Sequence, residues 1–183
     1  MSILLVRGED MSFKVSWKLH ILSFIISLIF CLVAQSYIYN LFFNLLEGNI
    51  IMKLSRNQLL DFTLFLFIIF IPITIVHELL HGVAYSLFGG KVKYGFKGIY
   101  AYAQETTGIV LHRTKFLIVL LSPVTMISTA SVFIPGSIGG VVLILNLLGS
   151  TGDLLMAFYL CRSNGNSYIV DKDYGFDIIT EIE

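Results

Sequence analysis

One motif in the chain combines residue types and a spacing that suggest chemistry. It is His77-Glu78-Leu79-Leu80-His81, an HExxH sequence. Residues four apart lie on one face of an α-helix, so both imidazoles can bind one Zn²⁺ ion. Glu78 lies about 100° around the helix from His77, beside the position left for water, and it can accept a proton there. The motif therefore indicates metal-assisted hydrolysis.

A catalytic zinc site normally has three protein ligands and a water, so a third ligand is needed. Asp153 is the strongest candidate, because it is the other acidic residue that stands inside a long apolar segment. Two alternatives stay open. Asp153 could form an ion pair or reach water from a helix end. The two histidines and Glu78 could instead form a polar cluster that holds helices together without a metal.

Asn146 and Ser150 precede Asp153 on the same helical face of this apolar segment. Asn146 lies four residues before Ser150, and Ser150 lies three residues before Asp153. Asn146 suits a hydrogen bond to a ligand carboxylate or a substrate carbonyl as well as it suits helix packing. For Ser150, helix packing is the better explanation. Besides this packing explanation, both residues remain candidates for supporting the metal ligands or for contacting the substrate.

The composition defines the surroundings of these residues. Of the 183 residues, 56% are hydrophobic and 13% charged, and the mean hydropathy is +0.85. Soluble domains carry about 25% charged residues, so an ordinary soluble globule is excluded. Twelve basic and twelve acidic side chains cancel, which gives no basic field for nucleic acid. The sequence predicts a single, all-α integral membrane domain.

Long gaps between charged residues predict about four transmembrane helices. The gap from Phe116 to Cys161 is too long for one span and contains the turn-forming cluster 134–140, so it is divided there. The predicted spans are 19–45, 60–88, 116–134 and 140–161. The polar segment 163–183 is expected to be a solvated, partly ordered tail.

The distribution of lysine and arginine predicts the orientation. Ten of the twelve basic residues lie in the N-terminal segment, the loop between helices two and three, and the tail. These parts are therefore expected on the cytoplasmic side of a cell membrane. His77, His81 and Asp153 then fall in the cytoplasmic half of the bilayer.

The loop between helices two and three predicts a small cytoplasmic β element. Apolar and basic residues alternate in 91–97, a strand pattern that 99–103 continues, and 108–111 could be a return strand. An edge strand within 91–104 could hold an extended peptide by strand addition. In the tail, 168–170 and 176–179 are short strand candidates.

The sequence resembles a family of bacterial membrane proteins described as "putative zincin peptidases", relatives of the site-2 intramembrane metalloproteases. The matching pieces, which span about 60–155, are His77-Glu78-Leu79-Leu80-His81-Gly82, Phe88-Gly89-Gly90-Lys91-Val92, Leu121-Ser122-Pro123, and Asn146 with Ser150-Thr151-Gly152-Asp153-Leu154.

The resemblance implies that His77, His81 and Asp153 hold zinc and that Glu78 is the catalytic base. It implies an intramembrane or membrane-proximal peptidase that cuts membrane proteins or peptides. The chain departs from the site-2 pattern: Ser150-Thr151-Gly152-Asp153 stands where Asn-Pro-Asp-Gly is typical, and no PDZ-type segment is visible. A non-enzymatic metal-binding protein or transporter, and an inactive scaffold, remain the alternatives.

Overall fold

A computed structural model describes residues 11–48, 51, 55–97 and 100–180, and within them the protein is mostly helical. Its elements in chain order are β1 (Met11–Lys14), α1 (Trp17–Val33), α2 (Gln35–Glu47), α3 (Gln58–Leu87), β2 (Val92–Lys97), β3 (Tyr100–Glu105), β4 (Val110–His112), α4 (Arg113–Val132), α5 (Gly136–Gly149), α6 (Thr151–Cys161), β5 (Tyr168–Lys172) and β6 (Gly175–Ile179).

The helices supply two to four segments that could cross a membrane. Helices α3 and α4 are each long and apolar enough, and they cover most of the predicted spans 60–88 and 116–134. The pair α1 and α2 and the pair α5 and α6 qualify only if each bent pair is counted as one span. The composition and these helices are compatible with a membrane protein.

The predicted helix 19–45 is wrong in its continuity, because the chain bends by 74° between α1 and α2. No helix-breaking residue type marks this bend in the sequence. Packing explains it: Leu41 and Leu45 of α2 are buried against α5. At Gly140 of α5, a Cβ atom would lie 2.6 Å from a methyl group of Leu41, so glycine lets this side chain pack directly on the α5 backbone.

The predicted helix 140–161 also bends, by 52° at Ser150. Gly149 and Gly152 flank this residue and have weak helix propensity, which makes the bend readable from the sequence. Because of this bend, Asp153 lies in the first turn of α6. The predicted continuous span 140–161 would have placed it in the interior of one long helix.

The fold is mostly helical, as predicted, but its β structure is larger than the small element expected between helices two and three. A four-stranded antiparallel sheet has the order β1-β6-β5-β4, and β2 and β3 form a separate hairpin. The return strand expected at 108–111 exists as β4, but it pairs with β5 of the tail. Strands β1 and β4 come directly before α1 and α4, and strands β2 and β5 follow α3 and α6. Both sheets therefore lie at the same end of the helices.

The tail is not the solvated segment that its polarity suggested. Ile169 and Ile178 are fully buried, and Phe176 is 1% exposed. These alternating apolar residues pack with Phe116 of α4 and Leu160 of α6 in one core cluster. The strand candidates in 168–170 and 176–179 are thus strands that anchor the sheet on the helices.

Candidate metal centre

Helix α3 carries the HExxH motif near its C-terminal end and presents both histidines on one buried face. The helix begins at Asn57, whose side chain accepts hydrogen bonds from the N–H groups of Leu59 and Leu60. His77 is 9% exposed and His81 is 8% exposed, and their ring centroids are 4.9 Å apart. The predicted spacing of four therefore brings the two imidazoles together, as helical geometry requires.

Asp153 reaches the same point from α6. Its Oδ2 atom lies 2.9 Å from Nε2 of His77 and 3.5 Å from Nε2 of His81. The bend at Ser150 places this carboxylate in the first turn of a helix, where the backbone dipoles favour negative charge. Two elements that are distant in sequence thus converge on one cluster.

The three side chains suit a zinc ion in type and in distance. One ligand atom from each of His77, His81 and Asp153 lies within 4.8 Å of the others. Tetrahedral zinc with bonds of about 2.0–2.2 Å needs ligand atoms about 3.3 Å apart. The two distances from the Asp153 oxygen fall on either side of this value. The residues therefore fit a metal ion with two nitrogen ligands and one oxygen ligand.

Glu78 lines the cavity that reaches this cluster. The cavity has a volume of about 730 Å³, and His81, Asp153 and Trp17 are also in its wall. The backbone N–H of Ala103 in β3 faces the Glu78 carboxylate, and Ala103 lines the same cavity. The hairpin therefore lies directly beside the motif glutamate.

Gly82, the residue after His81, permits this close approach of the hairpin. A Cβ atom at Gly82 would lie 1.8 Å from the hydroxyl oxygen of Tyr94 and 2.8 Å from a methyl group of Val92. A larger residue would force the Tyr94 side chain, and the methyl group of Val92, to move away from α3. The glycine that the sequence analysis matched after the motif thus has a packing function.

One edge of β3 faces the side chains of the site. The N–H of Ala103 faces the Glu78 carboxylate, and the N–H of Glu105 donates to Oδ2 of Asp171 at 3.1 Å. Residues two apart in a strand direct their N–H groups to the same edge, so this edge is the one that does not pair with β2. Carboxylates from α3 and β5 therefore lie along this strand edge beside the cavity.

Two carboxyl groups of this covering layer have opposite pKa shifts. Burial raises the pKa of Asp171 to about 6, although the N–H of Glu105 and the Tyr85 hydroxyl donate to it. Burial also acts on Glu105, but hydrogen bonds from Thr107 and from the N–H groups of Lys91 and Gly108 outweigh it and lower its pKa. At Asp171 burial and the neighbouring Glu105 charge prevail over the donors, whereas at Glu105 the donors prevail over burial.

Comparison with known proteins supports the reading of the motif. The model of a family described as "putative zincin peptidase" matches residues 69–168, more than half of the chain. The chain belongs to this family. The matched region contains the HExxH motif of α3 and Asp153 of α6. No curated protein and no solved structure gives a significant match.

Asn146 and Ser150 lie within the region that matches the zincin family, but their contacts are those of helix packing. The Asn146 amide donates to the Val124 carbonyl at 3.2 Å and to Oγ of Ser128 at 3.1 Å. Asn146 is 1% exposed and Ser150 is fully buried. The structure therefore favours the packing alternative, and a contact with substrate stays a prediction.

Several residues around the zincin motif escaped the sequence analysis. Asp171 and Tyr174 belong to the supposed tail and line the cavity. Ala103 has no functional side chain and acts through its backbone N–H. The apolar alternation around Ile169 and Phe176 was the available signal that the tail is folded. For Ala103 and for the Val119 carbonyl described below, no side-chain signal exists.

Proposed function

We propose that the protein is a zinc-dependent membrane peptidase. The observation that carries this proposal is the convergence of His77, His81 and Asp153 beside a cavity that Glu78 also lines. The family description supports the same class of reaction.

A bound zinc ion would lower the pKa of a water and polarise the carbonyl of the scissile peptide bond. The two Nε2 atoms and the Asp153 carboxylate would hold the ion. Glu78 would accept the proton of the attacking water and deliver it to the leaving amine.

We further propose that the site is of the site-2-protease type and acts in or near the bilayer. The support is the placement of the ligands on two different helices, one of them an uninterrupted apolar helix of 30 residues. The excess of basic residues beside the strand-bearing end predicts that both termini and the sheets are cytoplasmic. A membrane protein or peptide is the proposed substrate, and no nucleic-acid partner is expected.

The edge of β3 is the proposed place for the substrate backbone. A spanning helix hides its peptide bonds in its own hydrogen bonds, so a substrate must unwind before cleavage. An extended strand could then pair with the edge that contains Ala101 and Ala103. Such pairing would use the Ala103 N–H, which faces the Glu78 carboxylate, and would place the substrate backbone beside the proposed base.

The test compares the wild type with Glu78→Gln. Membrane peptides from cells that express each protein are compared without bias, and the peptides that differ are then offered to both purified proteins. Cleavage should fall about 10²–10⁴-fold in E78Q, because a general base contributes about that much. Bound zinc, measured by elemental analysis, should stay at the wild-type level, since Glu78 is not a ligand.

Glu47→Gln is the matched control, because Glu47 is an exposed glutamate at the end of α2. It should cleave and bind zinc like the wild type. Identical peptide profiles for wild type and E78Q would contradict the peptidase proposal. Wild-type metal flux into vesicles that persists in E78Q would instead support the transporter.

A further inference from the structure

Helix α4 contains a proline that leaves one backbone carbonyl without its usual helical partner. In an α-helix, the N–H of residue 123 would donate to the carbonyl of Val119, four residues earlier. Pro123 has no N–H, and it lies inside α4 with its side chain fully buried. Both lone pairs of the Val119 oxygen are therefore available to side chains.

Two side chains use this oxygen. The hydroxyl of Ser122 donates to it at 2.9 Å, and Nδ1 of His81 lies 2.9 Å from it. A carbonyl oxygen only accepts hydrogen bonds, so Nδ1 of His81 must carry a proton. In a neutral imidazole the lone pair is then on Nε2, the atom that faces Asp153.

We propose that Pro123 is a positioning residue for the metal ligand His81. By withholding an N–H from the Val119 carbonyl, it preserves the acceptor that fixes the tautomer and the ring orientation of His81. The inference rests on the metal site of the proposed function, but it does not depend on the cleavage reaction. Hydrogen bonds that orient a metal-ligating histidine typically change metal affinity about 10–100-fold.

The alternative is that Pro123 only bends α4. The chain offers an internal comparison in Pro72, which lies inside α3 on its exposed side. A proline at 72 withholds an N–H from the carbonyl of Ile68, about two and a half helical turns before His77, and among the described residues this carbonyl accepts no side-chain hydrogen bond comparable to those at Val119. The two prolines thus share a backbone effect but differ in what the released carbonyl faces.

The first experiment measures zinc affinity by competition with a chelator, on full-length protein in detergent. Pro123→Ala restores the N–H and should weaken zinc binding about 10–100-fold, whereas Pro72→Ala should leave it unchanged. A third variant carries the α-hydroxy analogue of alanine at 123, an ester that has neither the ring nor the N–H. It should recover the wild-type affinity.

The second experiment observes the histidine nitrogens directly by NMR on protein labelled in its histidines. His81 should carry its proton on Nδ1 in the wild type, with or without zinc. In metal-free Pro123→Ala, the Nδ1 signal should weaken because the backbone N–H competes for the carbonyl. The NMR experiment tests the effect of Pro123 on His81 even if the wild type binds no zinc. Absence of zinc binding would refute the proposed metal centre but not this effect.

Three results would overturn the positioning role. They are unchanged zinc affinity in Pro123→Ala, an ester variant as weak as Pro123→Ala, and a His81 proton on Nε2 in the wild type. If Pro123→Ala does not fold, the ester variant and the wild-type NMR spectrum still decide the matter.

Discussion

The helices and the strands contribute to the cavity in different ways. Helices α3 and α6 hold His77, His81 and Asp153 in a buried cluster whose atoms are 2.9–3.5 Å from the Asp153 oxygen. The strands contribute Ala103 and Asp171, which belong to separate sheets and line the cavity. The first region holds the proposed metal ligands, and the second covers them.

Because of this difference, we expect metal binding and turnover to depend on different parts of the molecule. The cluster depends on the spacing within α3 and on the position of α6, which packs against α4 and α1. The cover depends on long-range strand pairing and on a few polar bonds that can exchange with water or substrate. Changes in the helices should therefore affect the metal, and changes in the strands should affect turnover or stability while the metal stays bound.

The largest expected effect comes from Asp153→Ala. Removing a direct ligand leaves two histidines, too few for a stable site, so zinc affinity should fall by more than the about 100-fold seen for supporting residues. Chelator competition measures this loss. Asp177→Asn, on β6 and bonded to the Tyr174 hydroxyl, is the control and should bind zinc normally. Unchanged zinc affinity in D153A would show that Asp153 of α6 is not a zinc ligand.

A smaller effect, on stability, is expected for Asp171. The folded protein raises the pKa of this carboxyl from 3.8 to about 6, so the folded state binds more protons than the unfolded state between these values. The free energy of unfolding should therefore fall as pH rises through this window, by about 3 kcal/mol in total for this group. In Asp171→Asn this component is absent.

The measurement is the free energy of unfolding of wild type and D171N from pH 4 to pH 7. The wild type should lose stability relative to D171N as the pH rises, with most of the change below pH 6. Parallel profiles would mean that Asp171 is not buried against β3 and α3 as described. Zinc binding near neutral pH should be the same in both proteins.

The smallest expected effect comes from Ala103→Pro. Its N–H points away from β2, so proline removes a donor from the proposed substrate edge but leaves the hairpin ladder in place. A hydrogen bond contributes about 0.5–1.5 kcal/mol, so turnover should fall by up to roughly 10-fold while zinc affinity stays constant. Rates with a cleavable peptide and chelator competition measure the two quantities.

Ala101→Pro sharpens this result, because it alters the same strand edge two residues from the Glu78 contact. Slower cleavage in both variants would favour substrate pairing along the edge. An effect in A103P alone would restrict the role of β3 to the glutamate. Normal turnover in both would remove β3 from the reaction.

Much of this molecule was predictable because the relevant signals are local. The helical spacing of His77 and His81, the apolar length of α3 and α4, and the alternation that became β2 are visible within short windows of sequence. The bend at Ser150 had a local signal in its glycines, whereas the bend after Val33 had none. The tail was misjudged because its polar residues outnumber the apolar ones that are buried.

By itself, the sequence determined the two imidazoles and the glutamate on one helix, since a fixed rise and rotation per residue set their relation. It also determined that these ionisable groups stand in an apolar segment, where their burial is costly and indicates a function. Only the tertiary structure decided that Asp153 meets the histidines, that Ala103 and Asp171 border the cavity, and that the Val119 carbonyl faces His81. These contacts join residues that are far apart in the chain, and packing and strand pairing, rather than local spacing, bring them together.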